Sequence, residues 1–321
     1  MNYTKLGSTG TEVSEICLGT WRFGKETGGV VETDRDQAHA LLDAAYDLGI
    51  TFIDTANVYG DPNGTSEGWI GEWLADYDRE EFVIASKAYF SVGDGPNRGG
   101  LGRKHLRDQL HGTLDRLGTD YLDIYYIHRW DENTPIEETL ATLNQFVEDG
   151  LVNHLGASMM FGWQLMKALW KSDTNGLERF EVTQPRYNAA YRDSPERDDT
   201  HIDSYLDVCR DQDLAVCPYS PLEAGFLTGK YDRDGAMPEG SRGDLRDWDG
   251  FDEDQWQVLD VIEKVAAEAN ATPAQISLRW LLERDCVPII GARTVAHLEE
   301  NAGASDVSLT SDQLRRITDA L

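Results

Sequence analysis

Residues 121–158 read YLDIYYIHRWDENTPIEETLATLNQFVEDGLVNHLGAS and contain one complete strand–helix–strand unit. Two runs rich in β-branched and aromatic residues, Tyr121–His128 and Val152–Ser158, flank the amphipathic stretch Pro135–Glu148, and this change of period is typical of a parallel βαβ unit. The same alternation extends in both directions along the chain. The further predicted strands are Glu15–Gly19, Thr51–Asp54, Phe82–Lys87, Glu181–Gln184, Leu214–Tyr219 and Val287–Gly291. The further predicted helices are Asp34–Leu48, Ser66–Ala75, Lys104–Leu117, Gly162–Trp170, His201–Asp211, Pro273–Leu282 and Ala296–Asn301.

Eight strands and eight helices in strict alternation, within 321 residues, predict an α/β fold of the (β/α)8 TIM-barrel type. An open doubly wound sheet would need a Gly-x-Gly-x-x-Gly turn after its first strand, and none is present there. The opening segment Thr4–Val13 predicts a β-hairpin that closes one end of the barrel. Gly93–Arg103 and Tyr231–Gly250 are predicted as long loops on the C-terminal rim. Because no composition shift marks a boundary, we expect residues 1–321 to form a single domain.

The charge of the chain excludes several classes of partner. Asp plus Glu number 58 against 29 Lys plus Arg, a formal net charge of −29 that would repel nucleic acid and anionic membranes. Only eight of the basic residues are lysines, and an acidic excess with few lysines is typical of halophilic proteins. No apolar run follows the first residues and none approaches the ~20 residues of a membrane helix, so we expect a cytoplasmic protein. The sequence does not indicate an oligomeric state.

The four cysteines are Cys17, Cys209, Cys217 and Cys286, and they form no Cys-x-x-Cys pair. This spacing disfavours a zinc site, and a chain of this length needs no disulfide framework. We therefore expect buried free thiols and no metal.

Reactive side chains follow three consecutive predicted strands. Asp54 ends the second strand and Tyr59 lies on the loop after it, whereas Lys87 and His128 end the third and fourth. In a barrel these strand ends converge on one rim, where active sites are built. Carbonyl reduction needs a proton donor for the oxygen, and a tyrosine with a pKa near 10 is a poor acid unless a cation stabilises its phenolate. We therefore predict Tyr59 as the acid, Lys87 as the group that lowers its pKa, Asp54 as the counterion of Lys87, and His128 as a hydrogen-bond donor to the substrate oxygen.

This set of four residues resembles the catalytic tetrad of the aldo-keto reductases, and the resemblance covers essentially the whole chain. Three further motifs are similar to the branch that contains voltage-gated potassium channel β-subunits and their bacterial relatives: Gly99-Gly100-Leu101-Gly102-Arg103-Lys104-His105, Asn133-Thr134-Pro135-Ile136-Glu137-Glu138-Thr139 and Tyr219-Ser220-Pro221-Leu222. The resemblance implies the same barrel. It also implies an NADP(H)-dependent oxidoreductase that reduces aldehyde, ketone or sugar carbonyls, or oxidises alcohols.

The resemblance also implies a set of cofactor-binding residues. Ser158 and Gln184 match residues that bind the nicotinamide amide, and Tyr219 matches the aromatic residue that stacks on the nicotinamide ring. The complete implied set is Gly19, Thr20, Trp21, Asp54, Ser158, Met159, Gln184, Tyr219, Ser220, Pro221, Leu222, Gly225, Lys230, Arg242, Gly291, Arg293, His297, Glu300 and Asn301. The substrate pocket is expected to be formed by Trp21, Tyr89, Phe90, Arg129 and Trp130.

The choice between NADP and NAD depends on a few basic residues. Lys230 matches a residue near the phosphates, Arg242 lies where relatives bind the 2′-phosphate, and Arg293 lies near a helix start, where an arginine fork suits a phosphate. Two positions depart from the family pattern: Met159 replaces the usual Asn or Arg, and His297 replaces the usual Arg or Gln. The second departure weakens the phosphate grip and leaves NAD(H) open as the alternative cofactor.

Two other functions are compatible with parts of the pattern. One is an NADP-binding regulatory subunit that senses redox state with little turnover, although the histidine at 128 favours turnover. The other is an aldolase with Lys87 as a Schiff-base amine, which is disfavoured because Asp54 would keep that amine charged.

Overall fold

The chain begins with a β-hairpin that leads into the first strand of a barrel. The computed structural model describes residues 1–192, 202–233, 235, 237–238 and 250–321. Strands β1 (Tyr3–Lys5) and β2 (Glu12–Ser14) pair antiparallel, which confirms the predicted hairpin. Leu6 and Val13 are fully buried and pack with the side chains that fill the barrel. The hairpin therefore closes the end of the barrel at which the strands begin.

Eight parallel strands form the central sheet, and a short second hairpin follows the first of them. The barrel strands are β3 (Cys17–Gly19), β6 (Phe52–Asp54), β7 (Val83–Ala88), β8 (Leu122–Ile127), β9 (Val152–Ser158), β10 (Phe180–Gln184), β11 (Ala215–Val216) and β12 (Ile289–Ile290), and the second hairpin consists of β4 (Glu26–Thr27) and β5 (Val30–Val31). The spatial order is β11-β10-β9-β8-β7-β6-β3-β12. The two outer strands meet where Val216 bridges Cys286 in parallel and the Val287 N–H donates to the Val216 carbonyl at 2.8 Å. The predicted (β/α)8 fold is thus confirmed.

Side chains from successive strands fill the barrel interior, and two glycines make room for them. Phe52, Ile124, Tyr126 and Val182 belong to one buried cluster inside the sheet. A Cβ atom on Gly156 would lie 2.3 Å from the ring of Tyr126, which is closer than any van der Waals contact allows. Similarly, a Cβ atom on Gly19 would lie 2.7 Å from the Ile289 side chain, where β3 and β12 pair. Glycine at these two positions therefore leaves room for the Tyr126 ring and for the Ile289 side chain.

Helices surround the sheet and pack against it and against one another. They are α1 (Arg35–Asp47), α2 (Thr65–Leu74), α3 (Arg103–Leu117), α4 (Ile136–Glu148), α5 (Gly162–Asn175), α6 (Ile202–Asp211), α7 (Glu253–Ala269), α8 (Pro273–Leu282), α9 (Val295–Ala302) and α10 (Ser311–Thr318). The eight predicted helices are present, but strict alternation is wrong because α7 and α10 are additional. Both additional helices begin with a reciprocal capping box, Asp252 with Gln255 and Thr310 with Gln313.

The loops at the C-terminal ends of the strands differ in how far the structure describes them. The predicted loop Gly93–Arg103 is irregular up to the start of α3, and Asp131 anchors it by accepting the Leu101 N–H at 2.8 Å. Most of Tyr231–Gly250 lies outside the described residues. Among the helices that are described, none combines the length and the apolar character needed to cross a membrane.

Candidate active site

The four predicted catalytic residues lie close together at the C-terminal ends of neighbouring strands. Asp54 is the last residue of β6, and Lys87 lies near the end of β7, which pairs with β6. The Lys87 Nζ donates to Asp54 Oδ2 at 2.6 Å, to the Thr55 carbonyl at 2.7 Å and to Tyr59 Oη at 3.3 Å. The ring centroid of His128 lies 5.9 Å from that of Tyr59. A phenol, an ammonium group, its counterion and an imidazole therefore share one rim of the barrel.

The ion pair between Lys87 and Asp54 lies almost entirely out of solvent. Both side chains are buried, and the Gln184 Nε2 donates to the second carboxylate oxygen of Asp54 at 2.8 Å. Burial raises the pKa of Asp54, and the adjacent positive charge of Lys87 opposes this rise. Burial by itself would lower the pKa of Lys87, but the charges of Asp54 and Tyr59 and the hydrogen bonds to both together outweigh it, and the net pKa rises. Lys87 is thus held as an ammonium group, which makes it unsuited to form a Schiff base.

Tyr59 is the group that contacts this ammonium and also faces a cavity. Burial raises the pKa of Tyr59 above its usual value, while the charge and hydrogen bond of Lys87 lower it. The expected effect of Lys87 is present, but burial outweighs it. The phenol is consequently protonated at neutral pH, and the nearby ammonium can stabilise the phenolate that forms once the proton has left.

His128 is a buried and uncharged imidazole next to Tyr59. Burial, together with the positive charge of Lys87, holds the pKa of His128 well below its usual range. Its Nδ1 atom is buried and has no hydrogen-bond partner among the described residues. The edge of the ring packs against Phe90 with centroids 4.9 Å apart. The tautomer with its proton on Nε2 can donate one hydrogen bond to an oxygen atom in the cavity.

A cavity of about 640 Å³ opens beside the tetrad, and Tyr59, His128 and most of the predicted cofactor residues line it. The predicted cofactor residues on its wall are Gly19, Trp21, Asp54, Ser158, Met159, Gln184, Tyr219, Ser220, Pro221, Leu222, Gly225, Lys230, Gly291, Arg293, His297, Glu300 and Asn301. Thr20 lies behind the wall, where its hydroxyl donates to the Asp54 carbonyl oxygen at 3.0 Å. Arg242 lies outside the described residues.

At the end of the cavity nearest the tetrad, hydrogen bonds among Ser158, Gln184 and Asp54 hold these polar side chains in place. The Ser158 hydroxyl donates to the backbone carbonyl oxygen of Gln184 at 2.8 Å, and the side-chain Nε2 of Gln184 donates to Asp54. This leaves the Gln184 Oε1 and the lone pairs of Ser158 Oγ as acceptors, which suits the NH₂ group of a nicotinamide amide. Met159 lies on the same wall in a left-handed backbone conformation, with φ 49°.

The other end of the cavity carries four cationic side chains from three separate stretches of sequence. Lys230 and Arg293 were predicted, whereas Arg22 and Lys25 were not. Burial and the charges of Arg293 and Arg22 lower the pKa of Lys230 to about 8. A chain with a net charge of −29 has thus concentrated positive charge at one point of its surface. The sequence signal for the missed residues was the pair of basic side chains just after the Gly19-Thr20-Trp21 motif.

The segment between β11 and Lys230 forms a tight turn along this wall. Ser220, Glu223, Ala224 and Gly225 have positive φ angles of 55°, 44°, 54° and 89°. The buried carboxylate of Glu223 anchors the turn through Arg186 and through Asn188 Nδ2, which donates to it at 2.7 Å. A Cβ atom on Gly225 would lie 2.5 Å from Lys230 Nζ, so a larger residue there would force that side chain to move.

The residues predicted to form the substrate pocket separate into two groups. Trp21 and Phe90 line the cavity. Tyr89, Arg129 and Trp130 lie outside its wall, and the Trp130 ring instead faces Trp163 of α5 with centroids 6.1 Å apart. The part played by the second group in substrate binding stays a prediction.

Cys17 lies in β3, Cys209 lies in α6, Cys217 directly follows β11, and Cys286 precedes β12. All four are buried free thiols, as predicted. Within the part of the chain that the structure describes, no group of three or more His, Cys, Asp or Glu residues could hold a metal ion.

Comparison with known proteins finds one matching family and several relatives with similar sequences. The sequence pattern of the aldo/keto reductase family matches residues 15–321. An uncharacterized oxidoreductase of Bacillus subtilis, YrpG, is 35% identical over 99% of this chain and 95% of its own length. Norsolorinic acid reductase B of Aspergillus parasiticus is 36% identical, with 96% and 81% covered, and a probable voltage-gated potassium channel subunit beta of Oryza sativa is 32% identical, with 96% and 92% covered.

Proposed function

Because the chain belongs to the aldo/keto reductase family, we propose that it is an NADP(H)-dependent oxidoreductase that reduces aldehyde, ketone or sugar carbonyls, or oxidises the corresponding alcohols. The observation that carries this proposal is the contact of Lys87 Nζ with Tyr59 Oη at 3.3 Å, on the wall of a cavity large enough for a dinucleotide. In the reducing direction Tyr59 is the general acid.

Each residue of the tetrad has one task in this proposal. Ser158, Gln184 and Tyr219 would hold a reduced nicotinamide beside the tetrad, and that group would supply the hydride. The carbonyl carbon accepts the hydride while the Tyr59 O–H bond breaks and its proton moves to the carbonyl oxygen, which gives an alcohol and a phenolate. Lys87 stabilises the phenolate, and Asp54 keeps Lys87 charged and oriented. The neutral His128 donates a hydrogen bond to the same oxygen and positions it. Alcohol oxidation runs through the same groups in reverse, with the phenolate as base.

The positive end of the cavity supports the proposed use of NADP(H). Lys230, Arg293, Arg22 and Lys25 suit the phosphates of a dinucleotide, because guanidinium and ammonium groups form charge-assisted hydrogen bonds with phosphate oxygens. A phosphate bound here would oppose the burial and the charges of Arg293 and Arg22 that lower the pKa of Lys230. Arg242 is part of the proposal through the family resemblance alone.

A screen of carbonyl substrates tests the proposed function. Purified protein is mixed with NADPH or NADH and a panel of aromatic aldehydes, aliphatic ketones and aldoses, at low and high KCl, and the loss of nicotinamide absorbance is followed. We expect turnover with NADPH, and we expect it to persist in concentrated salt if the acidic surface reflects a salt-rich cytoplasm.

The same measurement separates the enzyme from a redox-sensing subunit. The similarity to the Oryza channel subunit gives this second function its basis. Tight binding of NADPH with no turnover of any substrate, at any salt concentration, would refute the reductase and support the sensor.

A further inference from the structure

The hairpin after the first barrel strand carries a buried carboxylate at the positive end of the cavity. Glu32 directly follows β5, and only 5% of its side chain is exposed. Its Oε2 atom pairs with Arg22 and lies 3.9 Å from Nη2 of Arg293. Its Oε1 atom accepts a hydrogen bond from the Thr27 hydroxyl at 2.7 Å, and its backbone N–H donates to the Lys25 carbonyl at 2.8 Å. The position of this carboxylate is therefore fixed from both sides.

Glu32 joins two arginines that come from opposite ends of the sequence. Arg22 follows β3 and Arg293 precedes α9, yet both line the cavity and both approach the same carboxylate oxygen. A carboxylate oxygen and a phosphate oxygen use the same guanidinium N–H groups. A phosphate that binds these arginines therefore meets a fixed negative charge that already holds one of them.

The consequence depends on the charge that a cofactor brings to this end of the cavity. A phosphate on the adenosine ribose adds about two negative charges, which the carboxylate repels. A ribose that carries only hydroxyl groups adds no charge there, and its hydroxyls can donate hydrogen bonds to a carboxylate. The same residue therefore opposes one cofactor and tolerates the other.

We propose that Glu32 is a specificity-determining residue, which competes with the 2′-phosphate for Arg22 and Arg293 and so reduces the preference for NADP(H) over NAD(H). This inference rests on the proposed function, since it assumes that a nicotinamide dinucleotide occupies the cavity with its adenosine end near the arginines.

The test measures cofactor binding rather than turnover. The Kd values of NADPH and NADH are obtained from quenching of tryptophan fluorescence for the unmodified protein, for Glu32→Gln and for Glu26→Gln, at low and at high KCl. Glu26 is the matched control, because it is exposed in β4 of the same hairpin and its substitution removes the same charge. Thermal unfolding of each variant shows whether the hairpin substitution has changed the fold.

For Glu32→Gln we expect NADPH to bind about tenfold more tightly and NADH to bind nearly unchanged, with a difference that shrinks at high salt because repulsion is screened. Glu26→Gln should leave the ratio of the two Kd values unchanged. An equal change for both cofactors, no change, or weaker NADPH binding in Glu32→Gln would overturn the inference. Failure of the unmodified protein to bind either cofactor would instead refute the proposed function.

Discussion

The two ends of the cavity are built on opposite electrostatic principles. At the catalytic end, Lys87 and Asp54 are buried, neutralise each other and project from neighbouring barrel strands. At the opposite end, called the phosphate end because we propose that it binds the cofactor phosphates, Arg22, Lys230 and Arg293 lie in the loops after strands. Their three positive charges outnumber the negative charge of Glu32. One end is thus electrostatically complete within the protein, whereas the other keeps an excess of positive charge even though Glu32 pairs with Arg22.

Because of this difference, one end of the cavity should mainly affect the stability of the fold and the other the affinity for the cofactor. A buried ion pair strongly destabilises the fold when one partner is removed, because the other charge is left unpaired in a low-dielectric interior. Excess positive charge in a cavity costs stability but contributes to ligand binding, because the ligand compensates it. Substitutions at the catalytic end should therefore change rate and stability, whereas substitutions at the phosphate end should change cofactor affinity.

The largest effect should come from Tyr59→Phe, which removes the proposed proton donor and little else. The phenol hydroxyl has Lys87 as its hydrogen-bond partner, and general acid catalysis is worth about a hundred- to ten-thousandfold in rate. We expect kcat to fall by that factor while the Kd of NADPH is unchanged, measured by steady-state kinetics and by fluorescence titration. A loss of only a few fold in kcat would exclude Tyr59 as the acid.

The next largest effect should come from Asp54→Asn, which leaves the Lys87 charge unpaired. Removing one partner of a buried pair costs about 3–5 kcal/mol in the free energy of unfolding, measured by urea denaturation. The matched control is Glu72→Gln, which breaks the half-exposed pair with Arg35 and should cost about 0–1 kcal/mol. The double variant Asp54→Asn with Lys87→Met should recover part of the loss, and similar losses for Asp54→Asn and Glu72→Gln would contradict the comparison.

The catalytic end could be predicted from the sequence because regular structure positions it. Each βα unit repeats the same pattern, so Asp54, Lys87 and His128 could be placed at strand ends, and parallel strands bring such ends to one rim. Their hydrogen bonds depend on the register of three paired strands, which the hydrophobic pattern specifies.

The phosphate end could be predicted only in part because loops position it. Lys230 and Arg293 were proposed from a family resemblance. Arg22 and Glu32 were missed because they flank the β4–β5 hairpin, which the strand pattern did not predict. β4 and β5 contain two residues each, too few for an alternation to be recognised. The direction of the net pKa shift of Tyr59 could not be predicted from the sequence either, since it depends on how deeply the phenol is buried.

The smallest of these effects should be a pH dependence of NADPH binding that Lys230 causes. Burial and the neighbouring arginines lower the pKa of Lys230 to about 8, and a bound phosphate should raise it again by favouring the ammonium form. Binding therefore takes up a proton above that pH. The affinity for NADPH should be constant from neutral pH to about pH 8 and should fall beyond it, by at most about tenfold per pH unit. In Lys230→Met the affinity should be lower at neutral pH and should lose this decline, as measured by fluorescence titration from neutral to alkaline pH. If the same decline persisted in Lys230→Met, a titrating group other than Lys230 would cause it and the prediction would be wrong.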